Sequence, residues 1–581
     1  MLKNDIKKIV NEAISSVYTG LDGLVFVVEY PKKKEFGDYA TNAAIVVSKR
    51  MGKNPMEIAN ELALKISEID KEKKVIERTE VAAPGFVNFH VSEKYLIDNL
   101  ERILKEKERY GSSNIGKNKV VVIDYSAVNI AKPMHVGHLR STIIGQAIYN
   151  IYKNLGYSVV GDNHTGDWGT QFGKLIYAYK YWGDKKKIKE EPVEEMTRLY
   201  VRFHKETEIN KDLEEFARKE TKKLQNLDHE NIKIWNFLTR ESLKDYNKIY
   251  KILGVKFDYV LGESFYNNML AGIVKECREK KIAVESQGAI IINLEKFGLP
   301  PFIIRKSDGA YLYTTTDLAT VKYRKEKFKA EKVVYVVANE QALHFRQLFS
   351  SLELLGWNKN VVTEHVKFGM VLGENGKKFS TRKGETVRLE DLIKKAIDAA
   401  RKAVEEKNPK LSMKQKKKIA RVVGVGALKY NDLSQNRLTD ITFNWEKMLS
   451  LEGNSGPYLQ YAYARICSLE DKFNNIYKID RFNPFDKPDF GLLKEISEKD
   501  LIRKLVKYPE IIEDAANEYG PHLIALYLYE LVSFYNNFYN SVPILKADRK
   551  AAKARIALSR SVAIVIRSGL GLLGIDVLER I

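Results

Sequence analysis

Between residues 119 and 162 the chain switches periodicity twice. "KVVVIDYS" is apolar and β-branched at consecutive positions, the pattern of a parallel strand covered on both faces. "HLRSTIIGQAIYNIYKNLGY" then sets Leu139, Ile143, Ala147 and Ile151 four apart, a helical stripe, and "SVVGDN" returns to strand. Strand, helix, strand is a βαβ unit, and open α/β sheets bind ligands at its strand-to-helix junction. Helical patterning occupies about 175 to 282, after which strand-like runs come back in "GAIIIN", "VVYVVANE" and "HVKFGMVL". The pattern predicts an α/β Rossmann-type domain over 111–400, interrupted by a mainly helical insertion at about 175–300.

The flanks read differently. Residues 1–110 form a small α+β unit in which a helical opening gives way to "GLVFVVEYP" and to the alternating "APGFVNFHVS". The polar "KEKERYGSSNIGKNK" is the linker after it. From 385 onward the pattern is helical, with a connecting region at 401–450 and an all-α unit at 451–581, rich in Leu, Tyr and Phe. At 581 residues, several cores are expected rather than one.

Charge narrows the partner. A formal net charge of +21 and a pI near 9.3 favour a polyanion, because each base that neutralises a phosphate releases a counterion. No stretch approaches the roughly 18 apolar residues of a membrane span, and "MLKNDIKKIVNEAISSVYTG" has no secretory h-region, so a cytoplasmic protein is expected. The two cysteines, Cys277 and Cys467, make neither a disulfide framework nor a zinc knuckle, and no zinc is expected.

Two motifs invite over-reading. "GLGLLG" (569–574) matches a dinucleotide fingerprint in letters only; seven residues follow it, so it reads as a tight turn between helical segments. "GENGKKFS" (373–380) lacks the spacing of a phosphate loop. The candidate chemistry lies instead in "HVGH", where His135 and His138 stand at the carboxyl end of the first strand as a helix begins. A helix start carries unpaired N–H groups and partial positive charge. Two imidazoles there are suited to donate hydrogen bonds to a phosphoryl group under attack, a reaction catalysed mostly by positioning and charge stabilisation. Gly137 lets a nucleotide ring approach the backbone. A surface loop or half of a metal site are the alternatives for the pair.

The longer "NIAKPMHVGHLRSTIIGQA" resembles the HIGH region of class I aminoacyl-tRNA synthetases, and of the arginyl family in particular. "GDWGTQFG", "LGVKFDYVLGESFY", "SDGAYLYTTTDLA", "NEQALHFRQLF" and "FNWEKMLSLEGNSGPYLQYAYARI" follow in family order, and the N-terminal "EFGDYATNAA" and "APGFVNF" agree. The second signature, KMSKS, is altered to "KFSTRKG" (378–384), with Phe379 for Met and Thr381 for the second lysine.

The resemblance implies an arginine–tRNA ligase that uses ATP with Mg2+, forms arginyl-adenylate, and passes arginine to the terminal adenosine of tRNA(Arg). It implies catalytic roles for Lys132, His135, His138, Lys378, Ser380, Arg382 and Lys383, with His135, Gly137, His138 and Lys378 on ATP. Arginine-binding positions are Asn129, Glu263, Tyr313, Asp317 and Gln341. Ala127 stands where relatives usually carry Ser, removing a hydroxyl contact unless Ser126 reaches in. His344 reads as an ordinary core histidine. The residues themselves support the pocket: a guanidinium is a planar fork of donors that stays charged and calls for carboxylates, and Asp317 lies one helical turn after Tyr313.

The helical end resembles a DALR anticodon-binding domain, with Tyr458, Tyr461 and Arg465 on one helical face; Leu526, Phe534 and Phe538 read as core. The first unit resembles the family's tRNA D-loop-binding domain, with Phe86 and Asn88 as contacts. A monomer is expected. The alternative is a non-catalytic tRNA-binding paralogue, which predicts broken catalytic motifs.

Overall fold

The computed structural model describes residues 2–21, 23–372, 387–478 and 488–581. Its central sheet has four parallel strands, Val120–Asp124, Ser158–Asp162, Lys332–Tyr335 and Val362–His365, in the spatial order fourth, third, first, second. The order reverses between the first and third strands, so a crevice opens at their carboxyl ends. Asp124 is in register with Asp162 on one side and Tyr335 on the other, which sets three polar side chains at that end of the sheet.

The helix Val136–Asn154 follows the first strand, as the periodicity predicts. Thirteen of its 19 residues are buried, so it is an interior rod rather than a surface helix. Gly145 is where it crosses the strand end most closely: a Cβ there would lie 2.2 Å from that of Tyr125.

The insertion is helical from Thr170–Trp182 to His229–Leu253 and ends in β-structure, where the sequence reading has the strand-like "GAIIIN". "GAIIIN" supplies Ala289–Ile292, which pairs antiparallel with Ala283–Ser286 and Phe302–Arg305 in a separate three-stranded sheet. The reason is local: Gln287 and Gly288 both have positive φ (50° and 75°), which makes a two-residue hairpin turn and commits the strand to its neighbour. "HVKFGMVL" also divides. Val362–His365 joins the central sheet, whereas Val371–Leu372 pairs with Ile441–Thr442.

The N-terminal unit is a four-stranded antiparallel sheet (strands Val28–Glu29, Tyr39–Thr41, Ile76–Ala82 and Phe86–Val91) with helices Leu2–Val17, Ala43–Met51, Pro55–Ile69 and Glu93–Glu106. It docks on the helical end through the buried Glu510, which accepts from the Tyr30 hydroxyl (2.7 Å), the Tyr39 hydroxyl (3.0 Å) and the Lys3 amide (2.7 Å). The helical end is built from Gly456–Tyr477, Ile496–Val506, Tyr508–Asn517, Pro521–Ser541 and Arg549–Leu572. Phe538 is core there, but Leu526 is exposed, on the outer side of its helix. "GLGLLG" is not a turn: Gly569 and Gly571 continue the last helix, and only Gly574, at φ 69°, turns the chain. A Cβ on Gly569 would meet Leu528 at 2.8 Å, so this glycine serves helix packing.

Candidate functional site

The HVGH turn is a reciprocal cap. His135 is the N-cap of the helix, in extended conformation, and its Nδ1 accepts the Gly137 N–H at 3.1 Å. His138 Nδ1 in turn accepts the His135 N–H at 3.1 Å. A nitrogen that accepts carries no proton, so each ring, when neutral, holds its proton on Nε2. The two rings lie 3.9 Å apart. Burial, and His135 beside it, push His138 down to about 3, so it is a neutral donor at physiological pH. Gly137 has a further role beyond the one its sequence position suggests: a Cβ would come within 2.9 Å of the His135 ring.

Both histidines line a cleft of about 270 Å³ at the carboxyl ends of the strands, shared with Asn129, Gln341, Gly369 and Met370. Arg140, one turn along the same helix and fully buried, closes its floor. Its guanidinium pairs with Asp432 (3.1 Å) and donates to the carbonyls of Gly369 (2.7 Å) and Thr439 (3.2 Å). On the other side, Leu389 N–H donates to Met134 O at 2.9 Å, and His135 forms a β-bridge with Arg388. The chain therefore leaves this turn near 370 and comes back to it at 388. Lys378, Ser380, Arg382 and Lys383 lie outside the described residues.

A second group of polar side chains lies beside the sheet. Asp317 sits on the helix Tyr313–Lys327, which is held at both ends. The hydroxyls of Thr314 and Thr315 donate to the carbonyls of Ile303 and Ile304. Near the other end the fully buried Arg324 gives one nitrogen to both Asp124 (2.7 Å) and Asp162 (2.8 Å). Asp317 Oδ2 accepts from His344 Nε2 at 2.7 Å, and Tyr313, 60% exposed, lays its ring 5.1 Å from that of His344. The sequence reading of His344 as a plain core residue is thus corrected; it is half-buried and touches both Asp317 and Tyr313.

Glu263 opens the short turn Glu263–Met269, and its N–H donates to Thr165 O at 3.0 Å. Its carboxyl is pushed up to about 7, first by burial and then by the negative charges of Asp167 and Asp317, with His164 opposing. Carboxylates gathered in low dielectric resist ionisation until a cation joins them. Asn129 is positioned by a neighbour the sequence did not single out: its backbone bridges Gly166, and a Cβ on Gly166 would fall 2.2 Å from Asn129 Oδ1.

Other expectations fare less well. Lys132 is exposed, does not line the cleft, and holds its ammonium 6.0 Å over the ring of Tyr200 in the insertion. Ser126 does not substitute for the hydroxyl missing at Ala127. Its Oγ is tied to Tyr250 and Thr142, each at 2.8 Å, in a buried network. Asn88 is 3% exposed within the N-terminal sheet, where a base cannot reach it, whereas Phe86 is half-buried. Tyr458, Tyr461 and Arg465 do come together: Arg465 stacks 5.0 Å over Tyr461 and bonds Asn536 (3.4 Å), which donates to the Tyr458 hydroxyl (2.8 Å).

Comparison with known proteins matches three family models along the chain. Residues 99–445 match the family described as "tRNA synthetases class I (R), catalytic domain", residues 459–581 the "DALR anticodon binding domain", and residues 4–91 the "Arginyl tRNA synthetase N terminal domain". An arginine–tRNA ligase of Fusobacterium nucleatum is 46% identical over 549 residues, 94% of each chain. Arginine–tRNA ligase 1 of Bacillus cereus is 42% identical over 580 residues, covering 99% of this chain and 100% of that one. The crystal structure of arginyl-tRNA synthetase from Plasmodium falciparum superposes with a TM-score of 0.83 at 29% identity, covering 100% of this chain and 99% of that one. The Thermus thermophilus arginyl-tRNA synthetase shares the fold at 24% identity, TM-score 0.82, with both chains fully covered. With matching models in family order along the chain and relatives alike over nearly its whole length, this chain belongs to the arginyl-tRNA synthetase family of the class I aminoacyl-tRNA synthetases.

Proposed function

We propose that this protein is an arginine–tRNA ligase that works as follows. ATP, with Mg2+ on its phosphates, lies in the cleft against the start of the helix Val136–Asn154. Arginine enters the acidic pocket with its guanidinium between Glu263 and Asp317, beside Tyr313, while Asn129 and Gln341 hold its α-amino and carboxylate groups. A carboxylate oxygen attacks the α-phosphorus in line, the bond to the β-phosphate oxygen breaks, and pyrophosphate leaves. The Nε2–H groups of His135 and His138 stabilise the charge that develops on the phosphate oxygens, joined by Lys378, Arg382 and Lys383 of the second signature and the Ser380 hydroxyl. A ribose hydroxyl of the terminal tRNA adenosine, the 2′ one by class, then attacks the arginyl carbonyl carbon and AMP departs with the mixed-anhydride oxygen. No protein nucleophile is needed.

The observation that supports the arginine reading is the gathering of acids around one turn: Asp167 bonds the residue next to Glu263, and burial first, then the charges of Asp167 and Asp317, push the Glu263 carboxyl up. A guanidinium supplies the missing charge and a fork of donors that matches carboxylates. A smaller or neutral amino acid leaves those groups unpaired, which supports strong discrimination without an editing site. Phe86 and the Tyr458–Tyr461–Arg465 cluster are the tRNA contacts, through stacking on unpaired bases. A monomer, acting in the cytoplasm, completes the reading.

ATP–pyrophosphate exchange with each of the twenty amino acids, with and without tRNA, tests it. Exchange with arginine alone among them is expected. Exchange with lysine or cysteine instead refutes the pocket, and none under any condition refutes the enzyme in favour of a tRNA-binding paralogue.

A further inference from the structure

Asp167 belongs to neither signature and no role is assigned to it by the steps above. It is buried, at 6% exposure, in the segment that follows the second central strand. Its Oδ1 accepts the Ser264 N–H at 2.9 Å and its Oδ2 the Ser264 hydroxyl at 2.7 Å. Both bonds fall on the residue next to Glu263. Gly262, on the other side of Glu263, makes room for the same carboxylate, since a Cβ there would lie 2.3 Å from Asp167 Cγ. The Asp167 carbonyl is held in turn by the Trp235 indole N–H at 2.7 Å, from the insertion. A carboxylate has thus been buried where two bonds from one residue and the absence of a side chain at another accommodate it.

Resting on the arginine pocket proposed above, we infer that Asp167 is a specificity-determining positioning residue: it clamps the turn that aims Glu263 and adds a third negative charge behind the guanidinium site. The charge reaches Glu263 directly, being one of the two acids that push its carboxyl up. The groups facing Glu263 are His164 and Asp167 from the segment after the second strand, and Asp317, with His344 against it, from the helix beyond. An unoccupied site therefore resists full ionisation. Arrival of a cation with a fixed charge is rewarded more than arrival of any neutral isostere, and two acids alone would reward it less.

The test is steady-state arginine-dependent exchange from pH 5.5 to 8.5 on the full-length chain, comparing wild type with Asp167→Asn, Ser264→Ala and Asp317→Asn. In wild type, KM for arginine should rise as pH falls through about 7, where Glu263 takes up a proton. Asp167→Asn keeps an acceptor for Ser264 but removes the charge. Its break should move to lower pH, and its KM for arginine at pH 8 should rise about tenfold or more, with kcat and KM for ATP within about threefold. Ser264→Ala loosens the clamp and keeps the charge, so KM for arginine should rise while the break stays near 7. Should Asp167→Asn fail to fold, Ser264→Ala alone decides: an unchanged KM for arginine overturns the clamp. An Asp167→Asn break that stays in place, or equal losses in kcat and both KM values, overturns the proposal. Asp317→Asn separates the two levels. If it spoils arginine use while Asp167→Asn does not, only the role of Asp167 falls; if it too leaves arginine use intact, the pocket assignment falls with it.

Discussion

Replacing Arg324 by Met probes how the acidic pocket is held. Arg324 is 0% exposed, and one of its nitrogens bonds both Asp124 and Asp162, at 2.7 and 2.8 Å, across adjacent strands. Met fills much of the volume but leaves two buried carboxylates facing each other with no cation. Breaking a buried pair by removing one partner costs about 3–5 kcal/mol, mostly the penalty of the charge left behind. Burial already pushes Asp162 up with Arg324 present, and losing that cation raises it further. A carboxyl whose folded pKa lies above its unfolded value binds its proton more tightly when folded, so the variant regains stability as pH falls. Native-state hydrogen exchange of the Val120–Asp124 amides reads this locally, without requiring the several domains to unfold as one. An opening free energy lower by 3 kcal/mol appears as roughly 100-fold faster exchange or more. Expected at pH 8 is an acceleration of that size, smaller at pH 5.5, and smaller again in Arg324→Met/Asp162→Asn, where one acid is neutral. KM for arginine should rise too, because the same helix carries Asp317. An acceleration below fivefold, or one identical at the two pH values, would refute the view that Arg324 is the cation on which this corner depends.

Three further outcomes follow from the site. Glu263, about 7 in the folded protein against an ordinary 4.5, holds its proton more tightly than the unfolded chain; stability of the arginine-free protein should fall as pH rises from about 4.5 to 7, by at most about 3 kcal/mol, a slope that thermal melts should lose in Glu263→Gln or with saturating arginine. His138→Ala should lower kcat for exchange by about 10²–10³ with KM for arginine little changed, and the wild-type kcat profile should have no inflection from this ring above pH 5.5, since it stays neutral down to about 3. Tyr461→Ala removes a 39%-exposed ring beside Arg465; aminoacylation kinetics should give a KM for tRNA about tenfold higher, the scale of one lost stacking contact, at unchanged KM for arginine.

What could be read in advance was whatever is local. The βαβ unit and the HVGH junction are carried by consecutive residues, and a helix start has the same chemistry wherever it occurs. Contacts between segments distant in sequence were not legible. Asp167 meets Ser264 97 residues on, and Ser126 is taken up by Tyr250 at a separation of 124. Lys132, exposed, lays its ammonium over Tyr200 of the insertion, a contact that no pattern around residue 132 encodes. "GAIIIN" reads as a strand without a partner, because an apolar run has no address; the Gln287–Gly288 turn is what fixes its neighbour. Glycine carries a second signal. Gly166 and Gly262 stand beside Asn129 and Asp167 because those polar groups occupy the space of a side chain, so glycines within polar motifs such as "GDNHTGDWG" and "LGES" mark where functional groups crowd the backbone.

The same distinction explains why the central helix matters beyond its signature. Its first turn carries His135 and His138, and its body packs both on the central sheet and against helices from the C-terminal part of the chain. Arg140 binds Asp432, and Asn150 donates to the carbonyls of Gly571 (3.4 Å) and Leu572 (3.2 Å), which close the last helix. Lys429 reaches the Gly574 carbonyl at 2.6 Å, and Gln460 reaches that of Asp576 at 2.8 Å, so the end of the chain is fastened to the same assembly. The helix whose cap holds the two imidazoles is therefore anchored along its body to the C-terminal part of the chain as well as to the central sheet.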